Sequence, residues 1–297
     1  MRFVRDNAQV RVPASSGNLG PGFDSMGMAH DVWDEVSVTL TTGTSRAVIL
    51  GEGSQSLPRD ESHLIIRVIQ ETCALLGLPQ AGIDLVCRNA IPHGKGLGSS
   101  AAAVVAGLML VRELVGKPKE FSRDEVLRLA TQYEGHPDNA APAIFGGTTL
   151  SWQHGQTYRT VNIPVDPQLR TTVVVPQEVL PTAHARSVLP DQVPHSDAAF
   201  NAGRAGLLVH ALTNAPHLLF DATEDRLHQD YRAGAMEHSA RVLRALRSAG
   251  WPVVVSGAGP ALLVFASVDS QMEKALAAQG MSVIRSTQVR GAHAVHG

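Results

Sequence analysis

The chain is poor in several features that mark particular classes of protein. It has two cysteines in 297 residues, Cys73 and Cys87, and no C-x-x-C pair, so a disulfide framework is not expected. No stretch approaches the ~18 consecutive apolar residues of a membrane-spanning helix. The first residues, MRFVRDNAQVRV, contain no apolar segment typical of a secretory signal. These absences predict a cytoplasmic globular protein that does not enter a membrane.

An excess of positive charge is also missing. The 25 basic side chains are balanced by 27 acidic ones, for a formal net charge of −2. General nucleic-acid binders usually carry a basic excess, so this class is not expected. A small anionic ligand held by a few arginines is fully compatible with the same balance. A homodimer is also compatible with the sequence.

What the chain does contain is a mixture of strand and helix patterns. Hydrophobic residues make up 44% of it but aromatic residues only 4%, so alanine, valine and leucine must fill most of the core. In the first half the pattern predicts strands at VWDEVSVTL and GIDLVCRNAIP, and helices at HLIIRVIQETCALLG, SAAAVVAGLMLVRELVG and FSRDEVLRLATQYEG. In the second half it predicts strands at RTTVVVP, PVVVSGAGPALLVFA and MSVIRSTQV, and helices at FNAGRAGLLVHALT, EHSARVLRALRSAG and SQMEKALAAQG. Without strict β-α-β alternation, this order predicts an α+β fold.

Three local features refine this description. Ser122 and Glu125 form a predicted capping box at the start of one helix. The stretch HPDNAAPAIFGGTTL, residues 136–150, is predicted as a loop that leads back to a strand. The turn-rich stretch VNIPVDPQ, residues 161–168, predicts a boundary between a first domain at 1–160 and a second at 161–297.

The segment IPHGKGLGSSAAAVVAGL, residues 91–108, places a glycine-rich turn between a predicted strand and a buried helix. Glycines let backbone N–H groups converge, and a helix N-terminus carries about half a positive charge, so this arrangement can bind phosphate. The common phosphate loop needs Ser or Thr directly after Gly-Lys, whereas Gly96 follows Lys95 here. The dinucleotide-binding pattern G-x-G-x-x-G does not fit this segment either. From the residues alone, a tight strand–helix connection explains the same segment equally well.

The string from Pro92 to Ala102 resembles the phosphate loop of the GHMP kinases. Two further blocks resemble the first and third motifs of that family, namely VPASSGNLGPGFDSMG (12–27) and VSGAGPALLVF (255–265). Together with EGHPDNAAPAIFGG and PTAHAR, they are most similar to the homoserine kinases within it. The resemblance implies a two-domain fold, with an N-terminal domain like ribosomal protein S5 and a C-terminal ferredoxin-like domain.

The same resemblance implies an ATP- and Mg²⁺-dependent transfer of phosphate to the hydroxyl of L-homoserine, in threonine biosynthesis. Two alternatives remain open: a mevalonate or sugar kinase of the family, and a non-catalytic nucleotide or amino-acid sensor of the same fold. The first block lacks the Arg- and His-containing signature of galactokinase-like chains. A sensor should have lost Ser100, the loop glycines or the arginine pair, and all of these are present.

The resemblance also assigns the nucleotide side of the site. ATP binding falls to His63 and Leu64 at the adenine and to the loop residues Pro92, His93, Gly94, Lys95, Gly96, Leu97, Gly98, Ser99, Ser100, Ala101 and Ala102. Ser100 and Glu134 are the implied Mg²⁺ ligands. The structural alternatives are that Ser100 caps the helix, that Glu134 is solvated at a helix end, and that Lys95 lies on the surface.

Homoserine requires partners for a carboxylate, an ammonium and a hydroxyl group. A carboxylate is matched by the two-pronged guanidinium of arginine, and the resemblance assigns Arg186 and Arg232 to it, with Thr182 nearby. The other implied substrate residues are Asn18, Asp24, His136, Asp138 and Asn139. Asn139 is expected to orient the substrate during catalysis, together with Arg186, and Asp138 is expected not to be an obligatory base. The glycines of the third motif are expected to support the phosphate loop.

Overall fold

The computed structural model describes residues 1–117 and 119–295, and within them the chain forms eleven strands, ten α-helices and two short 3₁₀ helices. The strands are β1 (Asn7–Gly17), β2 (Met26–Thr41), β3 (Arg46–Gly51), β4 (Gly82–Asn89), β5 (Thr148–His154), β6 (Thr157–Ile163), β7 (Thr171–Val175), β8 (Val253–Val255), β9 (Leu262–Val264), β10 (Ser282–Ser286) and β11 (His293–Ala294). The helices are α1 (Leu64–Leu75), α2 (Ser99–Val115), α3 (Arg123–Glu134), α4 (Ala140–Phe145), α5 (Thr182–Ser187), α6 (His195–Asn214), α7 (Leu219–Ala222), α8 (Gln229–Arg232), α9 (Glu237–Ser248) and α10 (Ser270–Ala277). The mixture confirms the predicted α+β class.

Seven strands form the first sheet, in the order β11-β1-β2-β4-β3, with β5 paired to the start of β2 and β6 paired to β5. All pairs are antiparallel except β3 with β4. Helix α2 packs against β1 and lies between α1 and α3. Because α2 is apolar on nearly every side, it fills the centre of the domain, as the sequence predicts. No helix in the described part of the chain is long and apolar enough to cross a membrane.

The second sheet has four antiparallel strands in the order β10-β7-β9-β8. Its side chains alternate between two apolar clusters, because successive residues of a strand point to opposite faces. In β7, Val173 and Val175 join the main core, whereas Val174 belongs to the second cluster beside α9 and α10. Both faces are therefore buried along β7, β8 and β9, which explains why these three strands are rich in consecutive valine and leucine.

The end of the chain returns to the first sheet. Strand β11 pairs with β1, with Ala294 opposite Val10 and His293 opposite Arg11. At the other side of the predicted boundary, β6 continues to Ile163 within the first sheet. The first sheet thus takes strands from both sides of residue 160, and the division at 160/161 stays a prediction.

Two local predictions were wrong. Residues 136–150 are not a continuous loop, since they contain helix α4 and the start of β5. Pro142 is tolerated in α4 because it lies in the first turn, where backbone N–H groups have no partner within the helix. The predicted strand PVVVSGAGPALLVFA is two antiparallel strands, β8 and β9, joined by a turn at residues 256–261.

The capping box of α3 is formed only in part. Ser122 Oγ accepts a hydrogen bond from the Glu125 backbone N–H at 3.2 Å. The Glu125 carboxylate does not return to the cap, because it pairs with Arg128 through two hydrogen bonds of 2.6 and 2.9 Å. The helix still begins where the sequence predicts, since one cap bond and the apolar stripe suffice.

Candidate active site

The glycine-rich loop connects β4 to α2 and ends at the open N-terminus of that helix. Gly98 is the N-terminal cap residue, and no side chain from the described part of the protein caps the first turn. The N–H groups of the first helical turn therefore face the loop without partners in the helix. Ser100 does not cap α2. Its hydroxyl donates to Glu134 Oε1 at 2.8 Å.

The first and third motifs hold this loop from two sides. The carbonyl oxygen of Leu97 accepts from the Ser15 N–H at 3.0 Å, and that of Gly96 accepts from Ser256 Oγ at 2.6 Å. Ser15 belongs to β1 and Ser256 to the turn after β8. Because both partners come from other parts of the sheet system, the loop conformation is a product of the whole fold.

Two pockets meet at the loop. A polar pocket with a cavity volume of about 140 Å³ is lined by Asn18, Gly94, Gly96, Gly98, Ser99, Ser100, Glu134, His136, Asp138, Asn139, Thr182, Arg186, Arg232, Gly257 and Ala258. An apolar pocket with a cavity volume of about 330 Å³ is lined by Asp34, Val36, Leu57, Pro58, Ser62, His63, Leu64, Ile65, Asn89, His93, Ser99, Ser100, Ala102, Ala103 and Ala106. Ser99 and Ser100 line both pockets, so one elongated ligand can occupy the two together.

Arg186 lies in the polar pocket and forms an ion pair with Asp24. Its Nη2 donates to Asp24 Oδ1 at 2.6 Å, and its Nη1 donates to Oδ2 at 3.4 Å. Asn18 supports this carboxylate, because its Oδ1 accepts from the Asp24 N–H at 2.9 Å and its Nδ2 donates to the Gly257 carbonyl at 2.8 Å. Asn18 and Asp24 both have positive φ angles, 68° and 54°. The first motif is thus a tightly bonded turn that holds Asp24 against Arg186 at the edge of the pocket.

His136 and Asp138 form a buried pair beside Asp24. His136 Nδ1 donates to Asp138 Oδ1. Burial would lower the pKa of His136, but the hydrogen bond and charge of Asp138 outweigh it and raise that pKa. One ligand atom each of Asp24, His136 and Asp138 lies within 4.8 Å of the others. Because Arg186 and His136 already pair with the two carboxylates, this cluster suits an ammonium group better than a metal ion.

Asn139 is fixed at one end of its amide. Its Oδ1 accepts from Ser15 Oγ at 3.1 Å, whereas its Nδ2 makes only a 3.4 Å contact with Asp138 Oδ1. The amide therefore has a defined orientation, with Oδ1 toward Ser15 and Nδ2 toward Asp138. Thr182 begins helix α5, which also carries Arg186.

Ser100 and Glu134 form a separate oxygen pair at the N-terminus of α2. Burial raises the pKa of Glu134, and the hydrogen bond from Ser100 opposes that effect. A hydroxyl and a carboxylate are the hard oxygen ligands that Mg²⁺ prefers. The donor set therefore fits a magnesium ion placed beside the glycine loop.

Some predicted nucleotide residues lie apart from the helix N-terminus. Lys95 Nζ donates to the Pro176 carbonyl at 2.8 Å. His93 lines the apolar pocket, where its Nε2 is buried and has no partner among the described residues. His63 lies there too and caps α1 by accepting from the Ile65 N–H at 3.3 Å. Leu97 and Ala101 are fully buried and support the loop from the core.

The sequence alone did not point to two buried groups near the pockets. Asp34 is 6% exposed and accepts from the N–H groups of Ala90 and Ile91 at 2.7 and 2.9 Å, just before the loop. Burial raises its pKa to about 6. His228 contacts Arg232 directly. Their spacing of four residues was an available signal, since residues i and i+4 meet on a helical turn.

Comparison with known proteins identifies the family. The sequence model of the family described as GHMP kinases N terminal domain matches residues 63–147. A homoserine kinase of Clavibacter michiganensis is 48% identical over 89% of this chain and 84% of its own length. One of Streptomyces avermitilis is 47% identical over 96% of this chain and 94% of its own length.

Solved structures agree with these relatives. The crystal structure of homoserine kinase from Cytophaga hutchinsonii superposes with a TM-score of 0.85 at 28% identity, covering 99% of both chains. A mevalonate diphosphate decarboxylase from Staphylococcus aureus shares the fold at 14% identity, with a TM-score of 0.69. These neighbours confirm the predicted two-domain α+β fold. The chain therefore belongs to the GHMP kinases and, within that family, to the homoserine kinases.

Proposed function

We propose that the protein transfers the γ-phosphoryl group of ATP to the side-chain hydroxyl of L-homoserine, giving O-phospho-L-homoserine and ADP. The product serves threonine biosynthesis. The observation that carries the proposal is the polar pocket. It places arginines, carboxylates and a fixed amide against the open N-terminus of α2.

The two connected pockets divide the nucleotide between them. The adenine ring occupies the apolar pocket, near His63 and Leu64. The triphosphate passes Ser99 and Ser100 into the polar pocket, where the loop N–H groups and the helix N-terminus meet its negative charge. Ser100 and Glu134 would hold Mg²⁺, which when bound neutralises charge on the β- and γ-phosphates. Lys95 stays bonded to a backbone carbonyl in this arrangement.

The acceptor pocket fits a zwitterion because an ion pair already lies at its edge. Asp24 occupies the fork of Arg186. L-homoserine brings one carboxylate and one ammonium group, so its carboxylate can take the fork of Arg186 while Asp24 turns to its ammonium. After this exchange every charged group has a partner of opposite charge. A ligand with only a carboxylate or only an ammonium group would leave one charged group without a partner.

Phosphoryl transfer then depends mainly on positioning, since its transition state is loose. The bond between the γ-phosphorus and the bridging oxygen to the β-phosphate breaks as the homoserine oxygen bonds to phosphorus. Asn139 orients that hydroxyl through Nδ2, and the hydroxyl proton leaves to solvent or to phosphate oxygen. We assign Asp138 no role as the base, because its Oδ1 accepts from His136 and its Oδ2 is buried, without a hydrogen-bond partner among the described residues.

Replacing Asp138 tests this assignment. We expect Asp138→Asn to lower kcat by less than ~10²-fold, below the 10²–10⁴-fold that a general base commonly supplies. The KM for L-homoserine should rise, since His136 loses the charge that raises its pKa. Steady-state kinetics with L-homoserine varied at saturating ATP measures both constants. A loss of ~10⁴-fold in kcat with an unchanged KM would assign Asp138 as the base.

ADP release with different acceptors tests the function as a whole. With ATP and Mg²⁺, we expect rapid ADP release with L-homoserine and only background release with mevalonate, galactose or no acceptor. Ser100→Ala is the matched control, because it removes one hydroxyl at the loop and should slow release with L-homoserine. Release with mevalonate alone would contradict the proposal, and no release with any acceptor would support a non-catalytic sensor.

A further inference from the structure

His228 is a buried polar residue that touches the acceptor pocket only through another side chain. It is 0% exposed and lies immediately before helix α8. Its Nε2 lies 2.9 Å from the Gly20 carbonyl oxygen, in the turn of the first motif. Its Nδ1 lies 2.9 Å from Arg232 Nη1. One imidazole ring thus bridges the first motif and a predicted substrate arginine.

The partners determine the tautomer of this ring. A guanidinium can only donate, so Nδ1 must accept and carries no proton. A carbonyl oxygen can only accept, so Nε2 must carry the proton. His228 is therefore neutral, with its single N–H directed to Gly20. A second proton on Nδ1 would face Arg232 and break the bond between them.

The charged and polar surroundings of His228 agree with this state. Burial and the positive charge of Arg232 lower the pKa of His228. Asp225, the Gly20 carbonyl and Asp24 act in the opposite direction, but the net effect is a lowered pKa. Asp225 lies 3.7 Å from Nε2, and its Oδ2 already accepts from the N–H groups of His228 and Gln229. The ring of Phe23 stacks on His228 with a centroid distance of 5.1 Å.

Hydrogen bonds to neighbouring groups set the orientation of the Arg232 guanidinium. It is 1% exposed, and its Nε donates to the Ala185 carbonyl at 3.1 Å. Its Nη1 is shared between His228 and, at 3.3 Å, the Gly257 carbonyl. Among the described residues none accepts a hydrogen bond from Nη2, and Arg232 lines the polar pocket. With Nε and Nη1 tethered, Nη2 is the group left for a ligand.

We propose that His228 is a positioning residue for substrate recognition, whose unprotonated Nδ1 holds Arg232 so that Nη2 points at the carboxylate of the acceptor. The inference rests on the proposed function, because it takes the acceptor to be an amino acid. It adds a residue that never touches the substrate, and it specifies one atom through which that residue acts. Burial of a histidine for packing alone would need no particular tautomer.

A matched pair of variants separates positioning from packing. Asparagine places an amide oxygen near the position of Nδ1, whereas leucine has the same branching without an acceptor. Both His228→Asn and His228→Leu lose the bond to Gly20, so they differ mainly in the acceptor that faces Arg232. We expect the KM for L-homoserine to be about 10- to 100-fold higher in the leucine variant, the range for losing a hydrogen bond to a charged group. The KM for ATP should be equal in the two variants.

A shortened substrate shows whether the effect passes through the carboxylate. L-homoserinol replaces the carboxylate by CH₂OH and keeps the ammonium and the reacting hydroxyl. We expect kcat/KM for L-homoserinol to differ less than about threefold between the two variants, because Arg232 has no charge to meet. Equal kinetics of the two variants with L-homoserine, or equal losses with both substrates, would overturn the proposal.

The tautomer can be measured without any variant. Nitrogen NMR of the intact protein with labelled histidine should show His228 protonated at Nε2 and unprotonated at Nδ1 between about pH 6 and 8, the range in which free histidine titrates. A proton on Nδ1 in that range would overturn the proposal even if both variants were unstable. If the parent protein phosphorylates L-homoserine but these measurements fail, the proposed function stands and only the role of His228 falls.

Discussion

Gly96→Ala should reduce kcat/KM for ATP by about 10²–10³-fold or more. Gly96 has φ +79°, and a Cβ there would lie 2.3 Å from the Ser256 carbonyl oxygen and 2.8 Å from that of Gly259. The loop would have to move away from the third motif, which also breaks the 2.6 Å bond from Ser256 Oγ. Loop N–H groups aimed at the phosphates would move with it, and losing one positioned donor commonly costs 10²–10³-fold. Steady-state kinetics with ATP varied measures the effect.

The control for this variant is Gly77→Ala. Gly77 also has a positive φ, +64°, but a Cβ there would meet no atom of the residues that the structure describes within 4 Å. Both variants carry the strain of a left-handed alanine, roughly 1–2 kcal/mol, and only Gly96→Ala carries the clash. We expect Gly77→Ala to lower the melting temperature while leaving kcat/KM for ATP unchanged. If the two variants kept the same kinetic constants, the loop would not hold the phosphates as proposed.

Arg186→Met should lower kcat/KM for L-homoserine by about 10²–10⁴-fold, the range for truncating one partner of a hydrogen-bonded charge pair. The acceptor carboxylate loses its two-pronged partner, and Asp24 is left without the cation that it contacts at 2.6 Å. The KM for ATP should change little, because Arg186 does not line the apolar pocket. Arg186→Lys should recover only part of the loss, since an ammonium cannot make two parallel hydrogen bonds.

Arg46→Met provides a matched control for the loss of a paired arginine. Arg46 makes the same two-point contact with a carboxylate, donating to Asp84 at 2.7 and 2.9 Å. Its pair is exposed on the first sheet and lies outside both pockets. We expect unchanged kinetics and little change in stability, as for surface ion pairs. An equal loss of activity in both variants would mean that Arg186 acts on folding and not on the substrate.

Local patterns along the chain predict much of the fold. The apolar helix α2, the capped start of α3 and the valine-rich strands follow from side-chain periodicity and cap residues, which act over a few positions. Helix α4 was missed because six residues are too few to show a helical period, and Pro142 usually marks a loop. The division of the third-motif region into the two strands β8 and β9 was missed because apolar residues continue on both sides of the glycine turn.

For the candidate site too, the sequence predicts some features and the structure alone shows others. Sequence motifs predict which residues serve the phosphates and the amino acid, and the structure brings most of them to one polar pocket. The motifs do not predict which of them pair with each other. Asp24 and Arg186 are 162 residues apart, and their ion pair exists only because α5 packs beside the first motif. The role of His228 likewise depends on the Gly20 carbonyl, 208 residues away.

By itself, the sequence determined the family, the α+β class and the glycine loop at the start of a buried helix, because these depend on residue types within short segments. Only the tertiary structure decided that Asp24 fills the fork of Arg186, that Asp138 is buried against His136, and that a neutral His228 directs Arg232. Hydrogen bonds and burial depend on distance and direction between groups far apart in the chain. These distances and directions are defined only when both sheets have formed and packed beside the loop.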